Sequence, residues 1–230
     1  MQTKLAKYTI KYLNKEEYHH LKNEIFINNS YSFETTKQEP LIIDVGTYIG
    51  ISILYFKRDF PNSRIIAFEP NPIAVQTLNE NLFTNCIDNV EIHESAIWIE
   101  DGSKKMYLDK TGKDRYSVAS FVKNAWDGTI KSEMITVKTE KLNKYLNQEV
   151  DLLKLDIEGA EQKVLKSIKG YFGNIKNIIF EYHPIKDQDI RKILELLQTN
   201  YNISVYQEGK EIKKNIPHNK LLIIKATCKK

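Results

Sequence analysis

Acidic side chains stand at four places where an apolar run gives way to polar sequence. Leu41-Ile42-Ile43 meets Asp44, followed by Val45-Gly46-Thr47-Tyr48-Ile49-Gly50, and Ile65-Ile66-Ala67-Phe68 meets Glu69-Pro70. Leu152-Leu153-Lys154-Leu155 meets Asp156-Ile157-Glu158-Gly159, and Ile178-Ile179-Phe180 meets Glu181-Tyr182-His183. Charges at the point where a buried strand emerges are costly unless they meet a ligand, a metal or solvent. Asp-x-Gly-x-x-x-Gly, a helix pattern and a second apolar run ending in an acid make a strand–loop–helix–strand unit for a nucleoside. Its glycines let the backbone come close, and its terminal acid, Glu69, accepts hydrogen bonds from ribose hydroxyls. A pyrophosphate over a bare helix N-terminus wants a further glycine where Tyr48 stands. Tyr48 therefore argues against NAD and for a smaller sulfonium nucleoside, S-adenosylmethionine, and hence for methyl transfer.

Each strand end then has a task on this reading. Ser95 and Ala96 follow the third strand, where an adenine edge commonly lies, with backbone groups of Ala96 meeting the ring. Asp156 and Glu158 lie two apart and share a face, so both address one site. Glu161 opens a helix, where the dipole favours an acid. Three acids raise the question of a divalent metal; no histidine cluster accompanies them, and the metal-free reading is preferred. Methyl transfer to a hydroxyl needs in-line approach and a group to take the proton. His183, titrating near neutrality, is expected to be that base, with Asp156 as its rival and Glu158 beside them. The remaining histidines, His19, His20, His93 and His218, are assigned surface or packing roles. The loop segment Arg115–Ser120 suits either a sugar or phosphate contact or plain solvent exposure.

The elements that position these groups alternate. Strands are expected over Leu41–Val45, Ile65–Glu69, Val90–Ile97, Asp151–Asp156 and Asn177–Tyr182. Helices are expected over residues 50–60, from Pro72 towards Phe83, and over Ala160–Ile168 and Asp189–Leu197. Mostly buried strands alternating with helices mean an α/β sheet with right-handed crossovers. Short strands at Lys104–Leu108 and Ile135–Thr139 interrupt the alternation, and Ile203–Tyr206 and Leu221–Thr227 close it as a terminal pair. Residues 1–40 read as an N-terminal lead with a helix over Glu16–Ile27, and residues 41–230 as the domain proper. Tyr31 and Phe33 in the lead are expected to pack on the outside.

A chain of 230 residues, 41% hydrophobic and 28% charged, suits one core. Its net charge of +4 is spread along the chain and does not demand nucleic acid. Cys86 and Cys228 lack metal-ligand spacing and fit a reducing compartment. With no visible signal peptide and no apolar run of membrane-spanning length, the expectation is a cytoplasmic protein.

Taken in order, Ile-Asp-Val-Gly-x-x-x-Gly, Ala-Phe-Glu-Pro-Asn-Pro, Leu-Asn-Glu-Asn-Leu, Ser-Ala-Ile, Lys-Leu-Asp-Ile-Glu-Gly-Ala-Glu and Phe-Glu-Tyr-His-Pro resemble the FkbM-type methyltransferases. These are a branch of the class I S-adenosylmethionine-dependent enzymes, and the resemblance covers roughly Leu41 to Pro184. It implies a doubly wound, mostly parallel, seven-stranded Rossmann-like sheet with one antiparallel strand in its last pair. It further implies that Asp44, Gly46 and Gly50, with Thr47 and Tyr48 between them, surround the methionine part of the cofactor, and that Glu69-Pro70 meets the ribose. The family loop commonly reads Gly-Ala-Asn-x-Gly, where this chain has Thr47-Tyr48. Members typically methylate hydroxyl oxygens, so the implied partner is a small acceptor such as a sugar or a phosphorylated or nucleotide-linked sugar. Methylation of nucleic acid or protein is the rival enzymatic reading. Asp-Ile-Glu-Gly stands where a base-flipping enzyme would carry Asn/Asp-Pro-Pro-aromatic, which counts against nucleic acid. A non-catalytic nucleotide-binding protein on the same fold is the third reading.

Overall fold

The computed structural model describes residues 1–109, 119–121 and 132–229. Its central sheet is built from runs that, the edge strand Val90–His93 apart, are apolar enough to be buried on both faces. These are β3 (Leu41–Val45), β4 (Arg64–Phe68), β5 (Val90–His93), β10 (Val150–Leu155) and β11 (Ile175–Tyr182). All five are parallel, in the order β11-β10-β3-β4-β5. At the other edge β14 (Leu222–Cys228) pairs antiparallel with β11 and with β12 (Tyr201–Gln207); the two-residue β13 (Lys210–Glu211) ends the row. Apart from that stub the sheet is the expected seven-stranded one with a single antiparallel member.

Helices cover both faces and leave two cores, one around Ile43, Leu153, Phe180 and Leu222 and the other around Ile42, Leu54, Ile65 and Ile179. They are α2 (Ile51–Asp59), α3 (Pro72–Thr84), α4 (Glu161–Ser167) and α5 (Ile190–Leu197). Two start signals are visible in the sequence. Asn71 caps α3 by accepting from Ile73 N ahead of Pro72, and Asp189 caps α5 by accepting from Arg191 N.

The expected third strand, Val90–Ile97, is two strands. The carbonyl of His93 accepts from Glu69 N at 3.1 Å and from Ser95 N at 2.9 Å, a tight turn that ends the ladder with β4. The chain leaves as β6 (Ala96–Trp98), which pairs parallel with β9 (Ser132–Lys141) in a second sheet completed by β7 (Gly102–Asp109) and β8 (Ala119–Ser120). Of the Arg115–Ser120 segment, residues 115–118 lie outside the described residues.

The lead holds a hairpin that the sequence reading missed, β1 (Gln2–Leu5) with β2 (Tyr8–Lys11), ahead of α1 (Lys15–Leu21). A π-helical stretch, Lys22–Ile27, continues α1. Helix α3 ties the hairpin down. Asn81 accepts from Lys11 N at 2.7 Å and donates to Lys11 O at 2.9 Å. Asn85 repeats the pattern with Thr9 one helical turn on, at 2.7 Å both ways.

Candidate active site

The carboxyl ends of β3, β4, β10 and β11 open on one cavity of about 450 Å³, a size suited to a small-molecule ligand. The loop after β3 is shaped by the strand that crosses it. Gly46 has φ +80°, and a Cβ there would lie 1.8 Å from the Asp156 carbonyl oxygen, so only glycine lets the two strand ends pass. Gly46 N and Thr47 N both donate to Phe68 O (2.9 and 3.1 Å), and Gly50 N donates to Thr47 O (3.0 Å). Tyr48 N donates to Glu69 Oε2 at 2.8 Å. These amides are consumed within the fold and form no cradle for a pyrophosphate. Tyr48 takes φ +52°, uncommon for a bulky residue, and its hydroxyl donates to Glu17 Oε2 on α1 at 2.7 Å.

Glu69, directly after β4, lines the cavity. Its other oxygen accepts from Asn71 N at 2.8 Å, and each carboxylate oxygen keeps a further lone pair. Burial pushes its carboxyl up to about 7 against the pull of the Asn71 and Tyr48 amides. A carboxyl whose folded pKa exceeds its unfolded value binds more protons when folded. The unliganded fold therefore loses stability from Glu69 as pH rises from about 4.5 towards 7. Pro70, Ser95 and Ala96 line the end near Glu69 with Phe68 and Ile97, giving a largely apolar slot.

Asp44 and Gly50, expected around the methionine part of the cofactor directly or through water, are not among the lining residues. Asp44 is fully buried one layer below. Its Oδ2 accepts from Ser52 Oγ at 2.6 Å and its Oδ1 lies 3.2 Å from Lys154 Nζ. Gly50 caps α2 at φ +87°, where a Cβ would press on Leu78 Cδ1 at 2.6 Å. The sequence reading missed Lys154, although a lysine inside an apolar strand is itself a signal. Its ammonium donates to Gly46 O at 2.7 Å and lies 3.7 Å from Asp156 Oδ2. Burial opposes its charge, yet Asp44 and Asp156 more than compensate and raise its pKa.

The other end of the cavity is acidic. Asp156, Glu158, Glu181 and His183 line it from β10 and β11, and Glu17, His20, Glu24 and Tyr31 face it from the lead. Tyr31 is buried and its hydroxyl donates to Asp156 Oδ2 at 3.4 Å, so it belongs to the site, whereas Phe33 packs on Phe60 as expected. His20 also lines the site, 3.4 Å from Glu24. Burial pushes the Glu24 carboxyl up to about 7, with Asp156 adding to the rise. Glu181, also buried, is raised well above the carboxylate range by desolvation and then by Asp156.

His183 is held from both sides. Its Nδ1 is 3.0 Å from Glu161 Oε1 and its Nε2 is 3.2 Å from Glu158 Oε2. Burial works against its charge, but the two carboxylates overcome it and lift the imidazole well above 6.5. Glu161 is more than a helix-start acid: fully buried, it also accepts from Gly159 N at 3.1 Å and from Gln188 Nε2 at 2.6 Å.

Sheet order and carboxyl-edge cavity together are those of a class I methyltransferase. The Methyltransferase FkbM domain model matches residues 44–203. Methyltransferase 1 of Beauveria bassiana is 28% identical over 191 residues, covering 73% of this chain and 74% of that protein. The 2-O-methyltransferase NoeI of Sinorhizobium fredii is 26% identical over 200 residues, covering 76% and 78%. A crystal structure of a methyltransferase FkbM from Methylobacillus flagellatus shares the fold at TM-score 0.55 and 14% identity, covering 84% of this chain. This chain spans 44% of the length of that one. The chain belongs to the FkbM methyltransferase family, whose members are S-adenosylmethionine-dependent enzymes. The residues present fit that cofactor: a buried carboxylate for a diol, an apolar slot for an aromatic base, and acids for a sulfonium.

Proposed function

We propose that this enzyme methylates a hydroxyl oxygen of a small polar acceptor, a sugar or sugar-linked metabolite. The observation that carries the reading is the two-ended cavity, with Glu69 at one end and Asp156, Glu158 and Glu181 at the other. When bound, S-adenosylmethionine supplies an electrophilic methyl group on a cationic sulfur. Glu69 holds the ribose hydroxyls, while Ser95, Ala96 and Pro70 border the base. Thr47 and Tyr48 wall the loop side, and Asp44 acts from below through Lys154, which steadies the Gly46 carbonyl and Asp156. The acids at the far end favour positive charge and leave the acceptor hydroxyl a carboxylate to which its proton can pass. An acid-lined end suits an uncharged or cationic hydroxyl compound better than a phosphorylated or nucleotide-linked sugar or nucleic acid.

The 2-O-methyltransferase name of one relative supports oxygen as the acceptor atom. No helix among the described residues is long and apolar enough to cross a membrane. With both cysteines free, the cytoplasm is the proposed compartment. The test is transfer from methyl-labelled S-adenosylmethionine to a panel of neutral, amino and phosphorylated sugars, followed by mild alkali. Alkali-stable label on an oxygen of a neutral or amino sugar is the expected result. Alkali-labile label, or label found only on added RNA or protein, contradicts it.

A further inference from the structure

We propose that Asp156, Glu158 and His183 bind one divalent cation, of the magnesium or manganese class, at the acidic end of the cavity. The inference rests on the methyltransferase reading and deepens it. One ligand atom from each residue lies within 4.8 Å of the others, a spread that an ion with bonds of about 2.0–2.3 Å closes with small side-chain shifts. Two carboxylates with one imidazole are a donor set for such a cation.

Two further observations point to a ligand here. Glu181 is only 7% exposed and lines the same cavity. Among the described residues its carboxyl makes no hydrogen bond or ion pair, an expensive state for a buried acid with nothing to bind. The support behind His183 is also built. Glu161 Oε1 lies 3.0 Å from Nδ1, and backbone amides of Ile157 and Gly159 with the Gln188 side chain fix Glu161 in turn. A carboxylate behind the far nitrogen is the usual companion of a metal-binding histidine, because it sets the tautomer and aims the near nitrogen. That near nitrogen, Nε2, points at Glu158.

As the cation binds, the proton between Nε2 and Glu158 leaves to solvent, and three protein–metal bonds replace it. A cation there would take the acceptor hydroxyl and ease loss of its proton.

The test uses the whole chain, freed of metal by chelation and titrated with Mn²⁺ while electron paramagnetic resonance follows the free ion. One equivalent should bind, and the bound ion's spin-echo spectrum should carry the nitrogen modulation of one imidazole. Glu158→Gln should weaken Mn²⁺ binding about tenfold or more, and His183→Gln should abolish the nitrogen modulation. Calorimetry with S-adenosylhomocysteine in chelator reports separately whether each variant is folded and keeps its cofactor site. Absence of stoichiometric Mn²⁺, of nitrogen modulation in the unsubstituted protein, or of any effect of both substitutions overturns the proposal. Retained S-adenosylhomocysteine affinity in those cases leaves the methyltransferase reading standing.

Discussion

Lys154 carries its ammonium into the cavity floor because acceptors converge on it there. The Gly46 carbonyl accepts its proton at 2.7 Å, Asp44 pairs with it at 3.2 Å, and the Tyr31 ring centroid lies 5.3 Å away. At this depth, removing one partner strands the other charge. Lys154→Met should cost about 3–5 kcal/mol in urea unfolding, and adding Asp44→Asn should recover much of the loss. Additive losses in the double variant would show that the pair is not what holds the floor. At this scale the sequence was only partly legible. Glu69 stands out because an acid directly after Ala-Phe needs a reason. The partner of His183 was hidden, because Glu161 is distant in sequence and aimed at it by a helix start.

Elements explain why a lead segment reaches the site. Hairpin β1–β2 presents Thr9 and Lys11 to Asn85 and Asn81, whose one-turn spacing at the end of α3 matches alternate residues of β2. Asn81 also donates to Ile49 O at 2.9 Å, joining hairpin, helix and cofactor loop at one side chain. Asn81→Ala should therefore destabilise the protein by about 2–3 kcal/mol, with amides of residues 8–11 gaining hydrogen exchange early. Unchanged exchange in β2 would show that the hairpin is held otherwise. The hairpin was not legible because Gln2–Leu5 and Tyr8–Lys11 are short and mixed in polarity and take their register from α3. The break of the third strand escaped notice because Val90–Ile97 reads as one run, while the turn that divides it lies in the His93 carbonyl.

Across the whole molecule, the order of the parallel strands brings Glu69, Asp156 and Glu181 to one edge although they are far apart in the chain. That order was legible from the alternation of buried strands and helices. The acids of α1 and of the π-helical stretch after it were not, because only packing turns Glu17 and Glu24 inward. The central claim is that Glu69 receives the cofactor ribose. Calorimetry with S-adenosylhomocysteine on the unsubstituted chain and on Glu69→Gln, at pH 8 and pH 5.5, tests it most directly. Loss of a charged acceptor should weaken binding by about 1.5–3 kcal/mol at pH 8, ten- to a hundredfold. With the carboxyl at about 7, protonation competes with the ribose, so affinity of the unsubstituted chain should fall roughly thirtyfold between the two pH values. Glu69→Gln should lose most of that slope, the remainder belonging to Glu24. A folded Glu69→Gln protein with undiminished affinity and the same pH profile would contradict the account.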